Sequence, residues 1–360
     1  MKSKRKSYSR KRPTRKIRRI HGKRIRGKPK RTIKKKNRTK ENRKYRKKRG
    51  GGKFSVSNLN DVASVTSLLN NGADPNIQIA ADGSTPLYFA SEKGNIDVVR
   101  VLLEHKADPN QRRTTDGATS LYVSARNGHN DIVTALLEHN ANPNLATTAW
   151  TSFTEGRTPL WMAAHNGHID AVRALLEHNA DPNLAKTTDG RTPLWMAAQN
   201  GDVDVAMVLL EHNADPNLAK TTDGTSPLFI AASYGHVDIV MALLEHNADP
   251  NHATTDDGST PLHVSAANGD VDVAIVLLKK EANPNANATD GKTPLHVAIE
   301  DGNVEIVRIL YLNGADMEMK NTLDGTPPLQ YLNPNLPMVT RESIINILHR
   351  IRQSPKKQRK

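Results

Sequence analysis

An all-α solenoid of stacked helix-turn-helix units is the fold class that this chain predicts, and three observations predict it. The first is a fixed period. The glycine of an Asp-Gly step, replaced once by Glu-Gly, recurs as Gly83, Gly117, Gly156, Gly190, Gly224, Gly258, Gly291 and Gly325, at intervals of 34, 39, 34, 34, 34, 33 and 34 residues. Self-similarity at such a period marks a repeat array. The second is the punctuation inside one unit. In Thr192-Pro193-Leu194 the threonine is placed to cap a helix, and proline suits the first helical position because its missing N–H has no partner there anyway. Asn200-Gly201 then ends that helix. The third is the apolar face Val205, Val208 and Leu209 on a second helix, too narrow to be buried alone and therefore in need of a neighbouring unit.

Taken in order, the chain opens with residues 1–53, which hold 29 Lys and Arg against a single acid, Glu41. Ile17, Ile20, Ile25 and Ile33 stand singly among the charges, so the segment cannot offset the entropy of ordering and is expected to be a disordered basic tail. Gly50-Gly51-Gly52 reads as a joint. Residues 54–81 carry Val62, Val65, Leu68 and Leu69 on one helical face but lack the Thr-Pro-Leu opening, as a terminal capping repeat should.

Residues 82–323 hold seven full units. Just past each second helix a left-handed residue is favoured, and the positions are filled by Gly72, Asn140, Asn179, Asn213, Asn247 and Gly314. Lys106 and Glu281 occupy the same place and are each expected to cost about 1 kcal/mol. The segment before Gly156 is five residues longer than its neighbours and contains Trp150 and Phe153, large aromatics of the kind that anchor interfaces. Folding back over the edge of the stack is the alternative use of both. Residues 324–353 form a degenerate C-terminal capping repeat whose helix carries Ile344, Ile347, Leu348 and Ile351 on one face. Residues 354–360 are a short basic tail.

Bulk composition excludes several function classes. The net charge of +15 hides an acidic body, because residues 54–340 carry 16 basic and 35 acidic side chains. There is no cysteine, hence no disulfide, thiolate zinc site or cysteine nucleophile. No apolar stretch of signal-peptide length follows the basic start, and no run approaches the roughly 18 residues of a membrane span. A soluble intracellular protein, nuclear or cytoplasmic and monomeric, is expected.

The units Asp-Gly-x-Thr-Pro-Leu, Ala-Ala-x-x-Gly-(His/Asp)-(Ile/Val)-Asp and Leu-Leu-Glu-His-Asn-Ala-Asp-Pro-Asn resemble those of ankyrin-repeat proteins over residues 54–330. The resemblance implies a curved solenoid with β-hairpin-like fingers that holds a protein partner on its concave side, through fingers and first helices. Carried over position by position, that face comprises Arg157, His165, Asn166, Arg191, Gln199, Asn200, Thr225, Ser233 and Tyr234. The family usually has histidine after Thr-Pro-Leu, whereas here the row reads Tyr88, Tyr122, Trp161, Trp195, Phe229, His263, His296 and Gln330. These rings are expected to be enlarged core between repeats rather than a strip offered to a partner.

Catalysis finds no residue support. His105, His139, His178, His212 and His246 share one place at the end of the second helix, where a ring suits the helix dipole, and His129, His168 and His236 share the turn. Equivalent rings on adjacent units are too far apart to chelate one ion, and His165 with His168 has no third ligand, so no metal, cofactor or small-molecule substrate is expected. The Asp-Gly pairs lack the glutamate of a calcium loop. The tail clusters Lys34, Lys35 and Lys36, and Arg46, Lys47, Lys48 and Arg49, suit nucleic-acid phosphates or nuclear import. An anionic membrane would attract the same charges, but no amphipathic helix or lipidation motif supports that target. Function therefore reads as a non-enzymatic scaffold or adaptor with a polybasic tail. The alternative is a ubiquitin-ligase substrate adaptor, from a faint resemblance of Leu336-Pro337, Ile344-Ile345 and Ile347-Leu348 to an F-box, although the segment is too short and its spacing is off.

Overall fold

The computed structural model describes residues 53–148 and 155–353. A short 3-10 turn, Val56–Asn58, and helix α1 (Val62–Asn70) precede seven helix pairs. These are α2 (Pro86–Lys93) with α3 (Ile96–Glu104), α4 (Ser120–Asn127) with α5 (Asn130–Glu138), α6 (Pro159–His165) with α7 (Ile169–Glu177), and α8 (Pro193–Asn200) with α9 (Val203–Glu211). Then follow α10 (Pro227–Ser233) with α11 (Val237–Glu245), α12 (Pro261–Asn268) with α13 (Val271–Lys279), and α14 (Pro294–Glu300) with α15 (Val304–Leu312). We number the pairs as units one to seven. A 3-10 turn, Pro328–Tyr331, and α16 (Met338–Gln353) end the chain's described part. Among the described residues there is no strand.

Local chemistry sets the helix bounds. Thr85, Thr158, Thr192 and Thr293 each accept the backbone N–H three residues on, for example from Trp161 at 3.1 Å, and proline follows at the first helical position. Each such cap stabilises by about 1 kcal/mol. The turn to the second helix needs glycine for two reasons, left-handed φ and close approach: a Cβ on Gly94 would lie 2.8 Å from the His129 ring of the next unit. At the far end Lys106 and Glu281 both sit at φ 64°, in the left-handed region where neighbouring units use asparagine.

First helices stack on first helices and second helices on second helices, so each unit packs on its neighbours along the chain. The small pairs Ala163-Ala164, Ala197-Ala198 and Ala231-Ala232 are fully buried between them, as are Val172, Leu175, Leu209, Val240 and Leu243. A buried leucine contributes about 1.5–3 kcal/mol, so the interfaces carry the fold. A ladder of asparagines locks the units together. Asn217 donates its amide to the carbonyl of Asn247 at 3.1 Å and accepts the N–H of Asp249 at 2.8 Å, and Asn110, Asn144, Asn183, Asn251 and Asn285 repeat both bonds.

The histidines of the two repeated positions have structural partners. At the end of the second helices, Nδ1–H of His105, His139, His178, His212 and His246 donates to the carbonyl four residues back. In the turn, Nε2–H of His129, His168 and His236 donates to Glu92, Arg126 and Gln199 carbonyls of the preceding unit. At the C-terminal end, Ile344 and Leu348 are buried and α16 packs on α15, which puts two of the F-box-like positions inside the stack.

Candidate protein-binding face

The fingers that join the units are short turns closed at their base. The N–H groups of Arg113, Lys186, Lys220, Thr254, Ala288 and Asn321 donate across the turn at 2.9 Å, to Ala118, Arg191, Thr225, Ser259, Lys292 and Thr326. Adjacent fingers are tied in turn, with Thr221 N–H donating to Asp189 and Thr255 N–H to Asp223 at 2.9 and 2.8 Å. In the long finger, Thr147 N–H reaches the Arg157 carbonyl at 3.0 Å, so the five extra residues leave the base intact. Trp150 and Phe153 lie outside the described residues, as do Lys34, Lys35, Lys36, Arg46, Lys47, Lys48 and Arg49.

In four fingers the ring row fixes the residue after the Asp-Gly step. Ring N–H groups of Trp161, Trp195, His263 and His296 donate to the carbonyls of Arg191, Thr225, Lys292 and Thr326, at 3.0, 3.1, 3.2 and 3.2 Å, each in the next finger. Tyr88, Tyr122, Trp161 and Trp195 are buried and form a second apolar cluster with Met162 and Met196. They are interior groups, as the repeat positions imply. Burial pushes the Tyr88 hydroxyl up to about 12.

Cations lie over several rings. The guanidinium carbons of Arg113, Arg157 and Arg191 stand 5.0, 4.7 and 5.4 Å from the ring centroids of Tyr88, Trp161 and Trp195. Such contacts contribute about 0.5–2 kcal/mol. Arg113 is ion-paired with Asp116 and Asp82, while Asp189 is shared by Lys186 (3.0 Å) and Arg191 (2.8 Å). Burial raises the Asp189 pKa, but hydrogen bonds from Arg191 and Lys186 outweigh it and hold the carboxyl below the usual range. For Asp116 the bonds from Arg113 and Ala118 likewise outweigh burial.

The residues carried over by resemblance divide into two groups. Arg157, His165, Arg191, Gln199, Thr225 and Ser233 are half-buried, and Asn166, Asn200 and Tyr234 are exposed. Asn166 and Asn200 also bond carbonyls of the preceding unit, Arg126 and His165, both at 2.7 Å. His165 stacks on Trp161 with centroids 5.2 Å apart, and burial first, then the charges of Arg157 and Arg191, push its pKa below 6.5. Arg113 and Arg126, which belong to the same row of fingers and first-helix ends, escape sequence reasoning. The signal was present, since Arg113 stands three residues before Asp116, as Lys186 stands before Asp189.

Among the described residues no group of three or more His, Asp or Glu could hold a metal, and no helix is long and apolar enough to cross a membrane. No curated protein matches the chain. A family model for ankyrin repeats matches residues 54–147, 146–220, 213–290 and 251–321. With its period, its helix pairs and this match over most of its length, the chain belongs to the ankyrin-repeat family.

Proposed function

We propose that the repeat array is a non-enzymatic protein-interaction scaffold, and that the row formed by Arg157, His165, Asn166, Arg191, Gln199, Asn200, Thr225, Ser233 and Tyr234 holds its partner. The observation that carries this reading is the division of labour within a unit. Leucines and alanines are buried and repeat almost unchanged, whereas the residue after the finger glycine varies as Arg157, Arg191 and Thr225, the last two on carbonyls that each accept two hydrogen bonds. A pinned backbone with variable side chains is what a recognition surface needs. Residues 1–53, at a net charge near +28, concentrate the protein on nucleic acid or in the nucleus.

Two measurements on the full chain test this. Salt-dependent binding of duplex DNA and RNA should be steep. Replacing Lys34, Lys35, Lys36, Arg46, Lys47, Lys48 and Arg49 by glutamine should flatten the slope of log K against log salt by up to about 6 for duplex DNA. An unchanged slope removes the nucleic-acid role. For the array, replacing Arg157, Arg191, Thr225 and Tyr234 together should abolish partner binding and leave most of the thermal stability; equal loss of both would make them structural residues.

A further inference from the structure

Unit five breaks a rule that its neighbours keep. Where the first helix ends, Asn127, Asn166, Asn200 and Asn268 each donate an amide N–H to a carbonyl of the preceding unit, at 3.1, 2.7, 2.7 and 2.9 Å. Unit five has Tyr234 there. Its side chain is 57% exposed and its ring lies parallel to His236, with centroids 5.9 Å apart. An inter-unit bond is absent and an exposed aromatic stands in its place. The ring contact with His236 stays within the unit and does not replace the tie to unit four, and a local rule broken in this way marks a position kept for another use.

The same unit lacks the cation that covers the ring in the two units before it. Arg157 and Arg191 lie over Trp161 and Trp195, but the equivalent residue in unit five is Thr225, whose hydroxyl bonds Asp223 at 2.8 Å. Phe229 and Ile230 are accordingly half-buried, whereas Trp161, Met162, Trp195 and Met196 are buried. Ile230 and Tyr234 are one helical turn apart, joined by the Tyr234 N–H to Ile230 carbonyl bond of 3.2 Å, so their side chains are neighbours. Ile230 and Tyr234 thus make an apolar patch open to solvent in the middle of the row, with half-buried Phe229 on an adjoining face of the same helix.

Charge on the two flanks selects an occupant. Toward units three and four the fingers carry Arg157, Lys186 and Arg191 against Glu155 and Asp189. Toward units six and seven they carry Asp256, Asp257 and Asp290, with Glu300 and Asp301 at the end of α14. Lys292 is the one finger cation there, and it is already engaged by Glu300 at 2.7 Å and Asp290 at 3.6 Å. Upstream, Lys186 is buried and shares Asp189 with Arg191, so these charges leave a net of +1, against −4 downstream; the row runs from weakly cationic to anionic across the patch.

We infer that unit five is the anchor point for an extended protein segment, which seats one aromatic or large aliphatic side chain on Ile230 and Tyr234. The segment carries acidic residues toward Arg157 and Arg191 and basic residues toward Asp256, Asp257 and Asp301. This rests on the reading of the row as the partner face. Neighbouring units are separated by about 9 Å, so three steps span about 27 Å, or roughly eight extended residues. An aromatic centre with opposite charges on either side fixes both position and direction of the bound chain.

The test is selection of a phage-displayed library of random twelve-residue peptides on the full chain, followed by anisotropy titration of the winners. Enrichment of an acidic, then apolar, then basic order is expected, with affinity falling at least tenfold when the peptide anchor becomes alanine or its charge order is reversed. Tyr234→Asn installs the asparagine of units two, three, four and six, so it should weaken binding at least tenfold with the unfolding midpoint unchanged or higher. Winners that bind Tyr234→Asn equally well, or in either charge order, overturn the inference. If those same winners still lose affinity in the Arg157→Ala, Arg191→Ala double variant, the partner face survives and only the anchor assignment falls. If they are indifferent to all three positions, the face itself is wrong.

Discussion

Units three and four carry tryptophan where units six and seven carry histidine, and the two pairs meet one geometric demand with different chemistry. Each ring must donate an N–H to the carbonyl beyond the next Asp-Gly step, and indole and imidazole do so at 3.0–3.2 Å. What the rings do otherwise differs. Trp161 and Trp195 add apolar area and attract Arg157 and Arg191 over their faces. His263 and His296 instead use Nδ1 to accept the N–H of Thr260 and Thr293, both at 3.1 Å, which makes them part of the helix cap. One pair is held by area and a cation, the other by a neutral imidazole.

Breaking the first kind should have the largest effect. Trp195→Ala is expected to cost about 3–5 kcal/mol, because it opens a cavity and removes the tie to the Thr225 carbonyl. Since units couple only to neighbours, urea unfolding followed by circular dichroism should split into two steps at that interface. One unsplit transition moved by less than about 1 kcal/mol would mean that the ring is dispensable. Trp195→His sharpens the comparison. It keeps a ring N–H but loses area and the Arg191 contact, so a smaller loss of about 1–2 kcal/mol is expected at pH 7.5.

Acid should separate the pairs without mutation. Burial is the first cause holding the His263 pKa below 6.5, against the opposing pull of Asp257 and Asp290. His296 is lowered by burial and by Lys292, with Asp324 opposing. A depressed histidine pKa means the unfolded chain takes the proton first, so this stability is complete above pH 6.5 and drains as pH falls from there toward the folded values. Hydrogen exchange should show residues 261–312 losing protection between pH 7.5 and 5.5 before residues 193–211 do. His165, also depressed, lies in unit three, and His165→Gln should leave the order of loss unchanged. Equal loss in both regions would refute the assignment. The finger carboxylates Asp116, Asp189 and Asp223 contribute in a separate window below pH 3.8. The smallest effect belongs to the left-handed sites: Glu281→Asn should raise stability by about 1 kcal/mol, read from the urea midpoint.

The helix pairs were legible because their signals are local. Thr192 with Pro193, Gly201 and the face Val205, Val208 and Leu209 need no knowledge of the neighbouring unit. Left-handed Lys106 and Glu281 followed from the same place in other units. The ties between units were hidden, because Asn217 and Asn247 are 30 residues apart and nothing in either says that one side chain meets the other's carbonyl. Their recurrence was visible but not their partner. On the face, Tyr234 was singled out by position alone, while its standing as an exception depends on the bonds of Asn166, Asn200 and Asn268, which only coordinates supply. Arg113 shows the same limit, since its role comes from lying over Tyr88 of the unit before.

The long finger has a practical use that follows from its closed base. Thr147 and Arg157 pair as their counterparts do in shorter fingers, and Thr148 N–H is tied to the Asp116 carbonyl of the preceding finger at 2.8 Å, so the base closes over a longer chain than in any neighbour. An insertion between residues 148 and 155 should leave those base bonds in place. Because the chain has no cysteine, a single one introduced there would be the sole thiol in the molecule, a handle for one dye or one crosslinker close in sequence to Arg157 of the proposed partner face.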